Sequence, residues 1–121
     1  MSALAQERCQ ACHPGTPALR REEIDALRRE VPEWRVEEVD GVPRLVRRFA
    51  FPDFRRALEF AVRVGELAEA EGHHPLLVVE WGATTVAWWT HAIGGLHRND
   101  FVMAAKTDRL YAEALGAAAP R

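Results

Sequence analysis

The sequence predicts an α+β protein: a four-stranded antiparallel sheet with three helices packed on one face, in α-β-β-α-β-β-α order. Three observations predict it. Hydrophobic spacing switches several times between the helical period and the alternation of a strand. Two pairs of strand-like runs are each joined across a glycine-containing dipeptide, Asp40-Gly41 and Gly82-Ala83. A helical stripe precedes the first pair, another separates the two pairs and a third follows them, so helices can cover one side of an antiparallel sheet. The 121 residues suit one domain, and 48% hydrophobic content supplies a core without metal or disulfide staples.

Each element has its own warrant. Residues 1–18 carry Cys9, Cys12, Pro14, Gly15 and Pro17 without periodicity and read as an irregular arm. Ile24, Leu27 and Val31 keep helical spacing, and Pro32 stops that helix. Trp34 and Val36 alternate with Arg35 and Glu37, giving the first strand; residues 45–51 give the second. The next helix takes Pro52 into its first turn and aligns Phe54, Ala57, Leu58, Ala61, Val64, Gly65 and Ala68. Gly72 is placed to cap it, because only glycine enters the left-handed region without steric cost. Residues 76–81 and 84–90 form the second hairpin. The last helix starts near residues 97–100 and aligns Phe101, Ala104, Ala105, Tyr111, Ala112 and Leu115. The folded domain is expected over residues 19–115, with 116–121 a frayed tail.

Composition excludes several function classes. The formal charge is −2, with both signs mixed along the chain. Direct nucleic-acid binding is not expected, since no cluster of Lys and Arg is present to meet phosphates. No apolar run approaches the roughly 20 residues of a membrane span. Residues 1–8 lack a basic leader and an apolar stretch, so a cytoplasmic chain with both cysteines reduced is expected. Cys9-x-x-Cys12-His13 spells a c-type haem attachment motif, but that chemistry requires export. As a zinc half-site it lacks a second ligand pair, which leaves a free-thiol arm.

The stretch Glu69-Ala70-Glu71-Gly72-His73-His74-Pro75 carries the chemistry. Pro75 biases His74 toward an extended backbone, so both histidines stand where helix gives way to strand. Glu69 lies one helical turn before His73 and could orient it. With Gly82 and Ala83 as turn residues, Trp81 faces Thr84 and His74 lies opposite His91, their β-carbons about 4.5–5.5 Å apart. The hairpin thus gathers three imidazoles at one end. Their ordinary pKa is about 6.5, so one ring can donate while another accepts near neutral pH. In a dehydration one would protonate the departing hydroxyl and another would take a proton from the neighbouring atom. Three imidazoles and a carboxylate also suit zinc or non-haem iron. A single histidine, by contrast, is more often satisfied by local hydrogen bonds.

Glu69-x-x-x-His73-His74-Pro75, followed by Trp81, Thr90-His91, Gly94-Gly95-Leu96 and Asp100-Phe101, resembles the signature of the pterin-4a-carbinolamine dehydratases. The likeness runs through Pro32-x-Trp34, Arg47-x-Phe49-x-Phe51 and Asp53-Phe54 as well. The resemblance implies the same α+β fold, assembly into homodimers or homotetramers, and no cofactor or metal. It implies dehydration of 4a-hydroxytetrahydrobiopterin, or a related pterin, to quinonoid dihydropterin in tetrahydropterin recycling. His73 and His91 match the family's acid/base histidines, His74 the adjacent pterin-site histidine, and Glu69 the supporting carboxylate. Thr90 precedes the second histidine, and Trp81 either borders the pterin or packs in the core. Asp100 matches an acid at the start of the last helix, where capping is the alternative role. Ala92, His97 and Gly72 depart from residues common in relatives and bear on efficiency and pterin preference. Some members act as dimerisation cofactors for a transcription factor. That role, or help in assembling another enzyme, is the competing expectation.

Overall fold

The computed structural model describes residues 3–10 and 15–118. Cys12 and His13 lie outside them, so the cysteine-pair motif does too. After a one-turn 3-10 helix at Ala3–Gln6, the elements are α1 (Arg21–Arg28), β1 (Arg35–Val39), β2 (Val42–Ala50), α2 (Phe54–Glu71), β3 (Leu76–Glu80), β4 (Ala83–Trp88) and α3 (Arg98–Ala118). The architecture is the expected one, an antiparallel sheet in the order β1-β2-β4-β3. Helices α2 and α3 lie on the sheet and α1 packs beside α3.

Local chemistry sets the boundaries. Helix α1 ends at Arg28, before Pro32, and Val31 sits in the following turn, fully buried. Pro52 stands just outside α2 rather than in its first turn. Asp53 is the N-cap, its carboxylate accepting from the Arg56 amide at 2.8 Å. Gly72 closes α2 in the left-handed conformation, φ 67°, as expected. Asp40 and Gly41 both have positive φ and make the primed two-residue turn of the first hairpin.

The second hairpin departs from expectation. Glu80 pairs with Ala83, so the turn residues are Trp81 and Gly82 rather than Gly82 and Ala83. Gly82, at φ 82°, takes the second turn position, where a type II turn needs positive φ; the expected register needed it at the first. The ladder slips accordingly, and the predicted His74–His91 pairing does not form.

The core lies between the sheet and its helices. Phe49 is its hub, with ring centroids 4.9 Å from both Phe60 and Tyr111 and 5.8 Å from Trp34. Two helices share one sheet face, so each buries only a narrow stripe. Phe60, absent from the expected stripe of α2, is buried, whereas Phe54 and Leu58 are exposed; Ala112 and Leu115 of α3 are exposed as well. Arg47 pairs with Asp108 at 2.6 Å, and the same carboxylate oxygen accepts from the Trp34 indole at 2.8 Å. The N-terminal arm is not wholly irregular either. Leu4 of its 3-10 turn is fully buried in the core.

Candidate functional site

The site begins where α2 ends. The amides of Gly72 and His73 both return to the Ala68 carbonyl, and the left-handed glycine turns the chain off the helix axis. This turn separates the fates of the two histidines. His73 swings inward, lies parallel to the buried Trp88 ring (centroids 5.8 Å apart, planes 9° apart), and keeps only 12% of its side chain exposed. His74 remains outside and sets its Nε2 2.5 Å from the Glu69 carboxylate. Glu69 therefore supports His74, not His73. Both members of that pair are open to solvent.

The carboxylate that serves His73 comes from α3. Asp100 Oδ1 lies 2.6 Å from His73 Nε2, and Asp100 is fully buried. Its other oxygen accepts from the Thr90 hydroxyl and from the His97 amide, both at 2.9 Å. His97 Nδ1 in turn accepts from the Asn99 amide at 3.0 Å. This is a capping box in which histidine does the work of the usual Ser or Thr. Asp100 thus caps the helix with one oxygen and holds a site imidazole with the other. A carboxylate here is further favoured by the positive end of the helix dipole.

His91 reaches the site from beyond β4. It opens a 3-10 turn, His91–Ile93, closed by left-handed Gly94 (φ 60°) and a bridge between Thr90 and Gly95. Its ring is exposed and rests 4.6 Å from Trp89, whose other neighbour is the Arg44 guanidinium, 3.9 Å from the ring centre. A cleft of about 640 Å³ has His73, His74, Thr90 and His91 in its lining. The register correction therefore leaves the gathering of three imidazoles intact. Trp81 is not part of it: 73% exposed, it stands at the hairpin turn, the end away from the histidines.

Sequence reasoning missed the rest of the lining. Cys9, Gln10, Glu71 and Asn99 border the same cleft. Glu71 accepts from the Cys9 amide at 3.0 Å and pairs with Arg8 at 3.1 Å. Burial works against its ionisation. The Cys9 amide and the charges of Lys106 and Arg8 prevail and hold it below the usual glutamate range. Among the described residues no three His, Cys, Asp or Glu side chains converge closely enough to hold a metal ion.

Three imidazoles around one cleft, one of them locked to a sealed carboxylate, equip the chain for proton transfer to and from a small molecule. Residues 17–110 match the family model described as pterin 4 alpha carbinolamine dehydratase, and the chain belongs to that family. It is 58% identical over 110 residues to the Gloeobacter violaceus protein named "Putative pterin-4-alpha-carbinolamine dehydratase 1", covering 91% of this chain and 95% of that one. A Chlorobium limicola protein named "Putative pterin-4-alpha-carbinolamine dehydratase" is 57% identical over 111 residues, covering 92% and 98%. Among solved structures, a Brucella melitensis protein described as a transcriptional coactivator/pterin dehydratase superposes with a TM-score of 0.70 at 28% identity, covering 78% of this chain and 99% of that one. A pterin dehydratase-like protein described as a RuBisCO assembly factor in the alpha-carboxysome shares the fold, with a TM-score of 0.55 at 24% identity and 65% and 89% coverage. The family is one of lyases by name.

Proposed function

We propose that this chain dehydrates a 4a-hydroxylated tetrahydropterin, such as 4a-hydroxytetrahydrobiopterin, to the quinonoid dihydropterin, recycling the cofactor by histidine acid/base catalysis alone. The single observation that carries the reading is the His73–Asp100 contact inside a cleft shared with His74 and His91. With Nε2 donating to Asp100, neutral His73 keeps its lone pair on Nδ1 and can accept a proton there. The carboxylate fixes that tautomer and stabilises the imidazolium formed on proton uptake. In this scheme His73 takes the N5 proton while protonated His91 delivers one to the leaving hydroxyl. The C4a–O bond breaks, the N5 electron pair closes the C4a=N5 double bond, and water departs. The two imidazoles end with exchanged protonation states, which exchange with solvent restores. His74, with Glu69, contacts the substrate beside them.

A stopped-flow dehydration assay comparing wild type with His73→Ala and His91→Ala tests this. Each substitution is expected to lower kcat by about 10²-fold or more. Equal rates in all three proteins, at the uncatalysed level, would reject the enzymatic reading.

A second reading is favoured by one surface. Phe54, Leu58 and Val62 are all exposed along one flank of α2, at the i, i+4, i+8 spacing by which a helix docks on another. Cover by further copies of the chain, as a homodimer or homotetramer, fits that flank. A protein-binding role as a transcriptional dimerisation cofactor or assembly helper would use the same flank and would survive loss of the histidines. No helix among the described residues is long and apolar enough to cross a membrane. A cytoplasmic location is part of the proposal.

A further inference from the structure

We infer that the N-terminal segment at residues 8–10 is the wall of the cleft that selects the substrate's ring substituent, and that Asn99 is the residue positioning it. The inference rests on the pterin reading of the site. Asn99 is 3% exposed and spends both ends of its amide on one residue of the arm. Its Oδ1 accepts from the Gln10 amide at 3.0 Å and its Nδ2 donates to the Gln10 carbonyl at 2.7 Å. The pair mimics one rung of a strand ladder, made by a side chain. Glu71 holds the preceding residue through the Cys9 amide at 3.0 Å. Further back, Lys106 donates to the Ala5 carbonyl at 3.0 Å, and Leu4 is sunk in the core. Residues 4–10 of the arm are therefore pinned at several points rather than draped over the surface.

Its anchors also adjoin the chemical groups. Asn99 immediately precedes Asp100, and Glu71 stands two residues before His73. The lining residues differ in kind. Three are imidazoles, whereas the Glu71 carboxylate and the Asn99 amide are already engaged with the arm's backbone, so they hold it rather than exchange protons with a substrate. Of the arm, the exposed Gln10 and the partly buried Cys9 line the cleft. An amide donates and accepts hydrogen bonds but does not titrate, which suits recognition. In a 4a-hydroxylated pterin a single ring nitrogen separates the reacting carbon from C6. A C6 substituent therefore leaves from the reacting edge, within the cleft that Cys9 and Gln10 also line. A hydroxylated substituent complements an amide; a methyl group does not.

Two stable 7,8-dihydropterins, one with a C6 dihydroxypropyl group and one with a C6 methyl group, provide the test by equilibrium titration. One or two neutral hydrogen bonds predict that wild type prefers the hydroxylated ligand by about 3–10-fold. Gln10→Ala and Asn99→Ala should each bring the ratio of the two Kd values toward one. Gln10→Asn, which keeps the amide, should recover part of the preference. A merely structural effect would weaken both ligands equally and leave the ratio unmoved. Should Asn99→Ala fail to fold, Gln10→Ala decides alone, since the Gln10 side chain is exposed. A wild-type ratio of one, or a ratio unchanged in the variants, overturns the inference. Measuring wild-type dehydration alongside separates the two claims: turnover without the ratio change defeats the wall only. The ratio change without turnover defeats the enzymatic reading only. Binding of neither ligand defeats both.

Discussion

Asp100 on α3 holds His73 at the end of α2: Oδ1 and Nε2 stand 2.6 Å apart, 27 residues separate the partners in sequence, and the carboxylate is sealed from solvent. Thr90 and the His97 amide fix the second oxygen, so neither ring nor carboxylate can turn independently. Asp100→Asn tests what that rigidity contributes. The isosteric amide cannot accept at both ends, so one buried partner loses its acceptor. The expected result is a kcat lowered about 10²-fold in the dehydration assay. A stability loss of about 1–3 kcal/mol by denaturant titration should accompany it. Unchanged kcat in a folded variant would remove Asp100 from the mechanism.

Glu69→Gln should behave quite differently. The Glu69–His74 pair is open to solvent, and exposed ion pairs contribute little to folding. The thermal midpoint is expected to shift by less than about 2 °C on the usual scale for a small domain. Any fall in kcat should be about tenfold smaller than that from Asp100→Asn. A larger fall than that of Asp100→Asn would return Glu69 to the place the sequence suggested for it.

Gly72→Ala isolates the cost of the turn that separates the two histidines. No atom lies within 4 Å of an added Cβ, so the penalty is purely one of backbone conformation at φ 67°. About 1 kcal/mol of stability should be lost, lowering Tm by roughly 3–6 °C.

Asp108 sets a pH dependence of unusual sign. Burial pushes its carboxyl above the usual aspartate value of 3.8, further raised by Glu33, and the Trp34 indole and Arg47 only partly offset this. The folded chain therefore holds this proton more tightly than the unfolded one. The stabilisation is complete below pH 3.8 and is lost as pH rises through the raised folded value. Asp108→Asn lacks the titration, so its stability relative to wild type should be more favourable at pH 7 than at pH 4. Urea midpoints at both values measure this; a constant difference would contradict it.

Glu71 has the opposite sign. Its pKa is held below the ordinary glutamate value of 4.5, so its contribution is complete above that pH and lost as pH falls through the lowered folded value. Hydrogen exchange at the Cys9 and Gln10 amides should accelerate relative to the core on acidification in wild type. In Glu71→Gln the relative rate should not depend on pH over that range.

What the residues disclosed in advance was chiefly local. The Asp40-Gly41 turn and the Gly72 cap follow from backbone energetics within a few residues, and so does the place of His73 and His74 at a helix end. Contacts between distant segments were not legible. Asp100 reads as a cap because its partner His73 lies just past the end of another helix, and spacing alone cannot join them. Strand alternation can place Trp88 on a sheet face, but it cannot disclose that His73 stacks on it. Gly82 fits either turn position by composition, and only the packed sheet chooses the register. The 3-10 turn bearing Leu4 is too short to show a period, which is why the arm looked featureless.

The cleft is lined by residues 9–10, 71–74, 90–92 and 99, so no single element of the fold contains a complete one. Under the proposed mechanism a nascent polypeptide would stay inert until the start of its final helix has emerged and docked, because Asp100, the partner of His73, arrives only then. Competence for the proposed reaction and completion of the fold would then be reached in the same event.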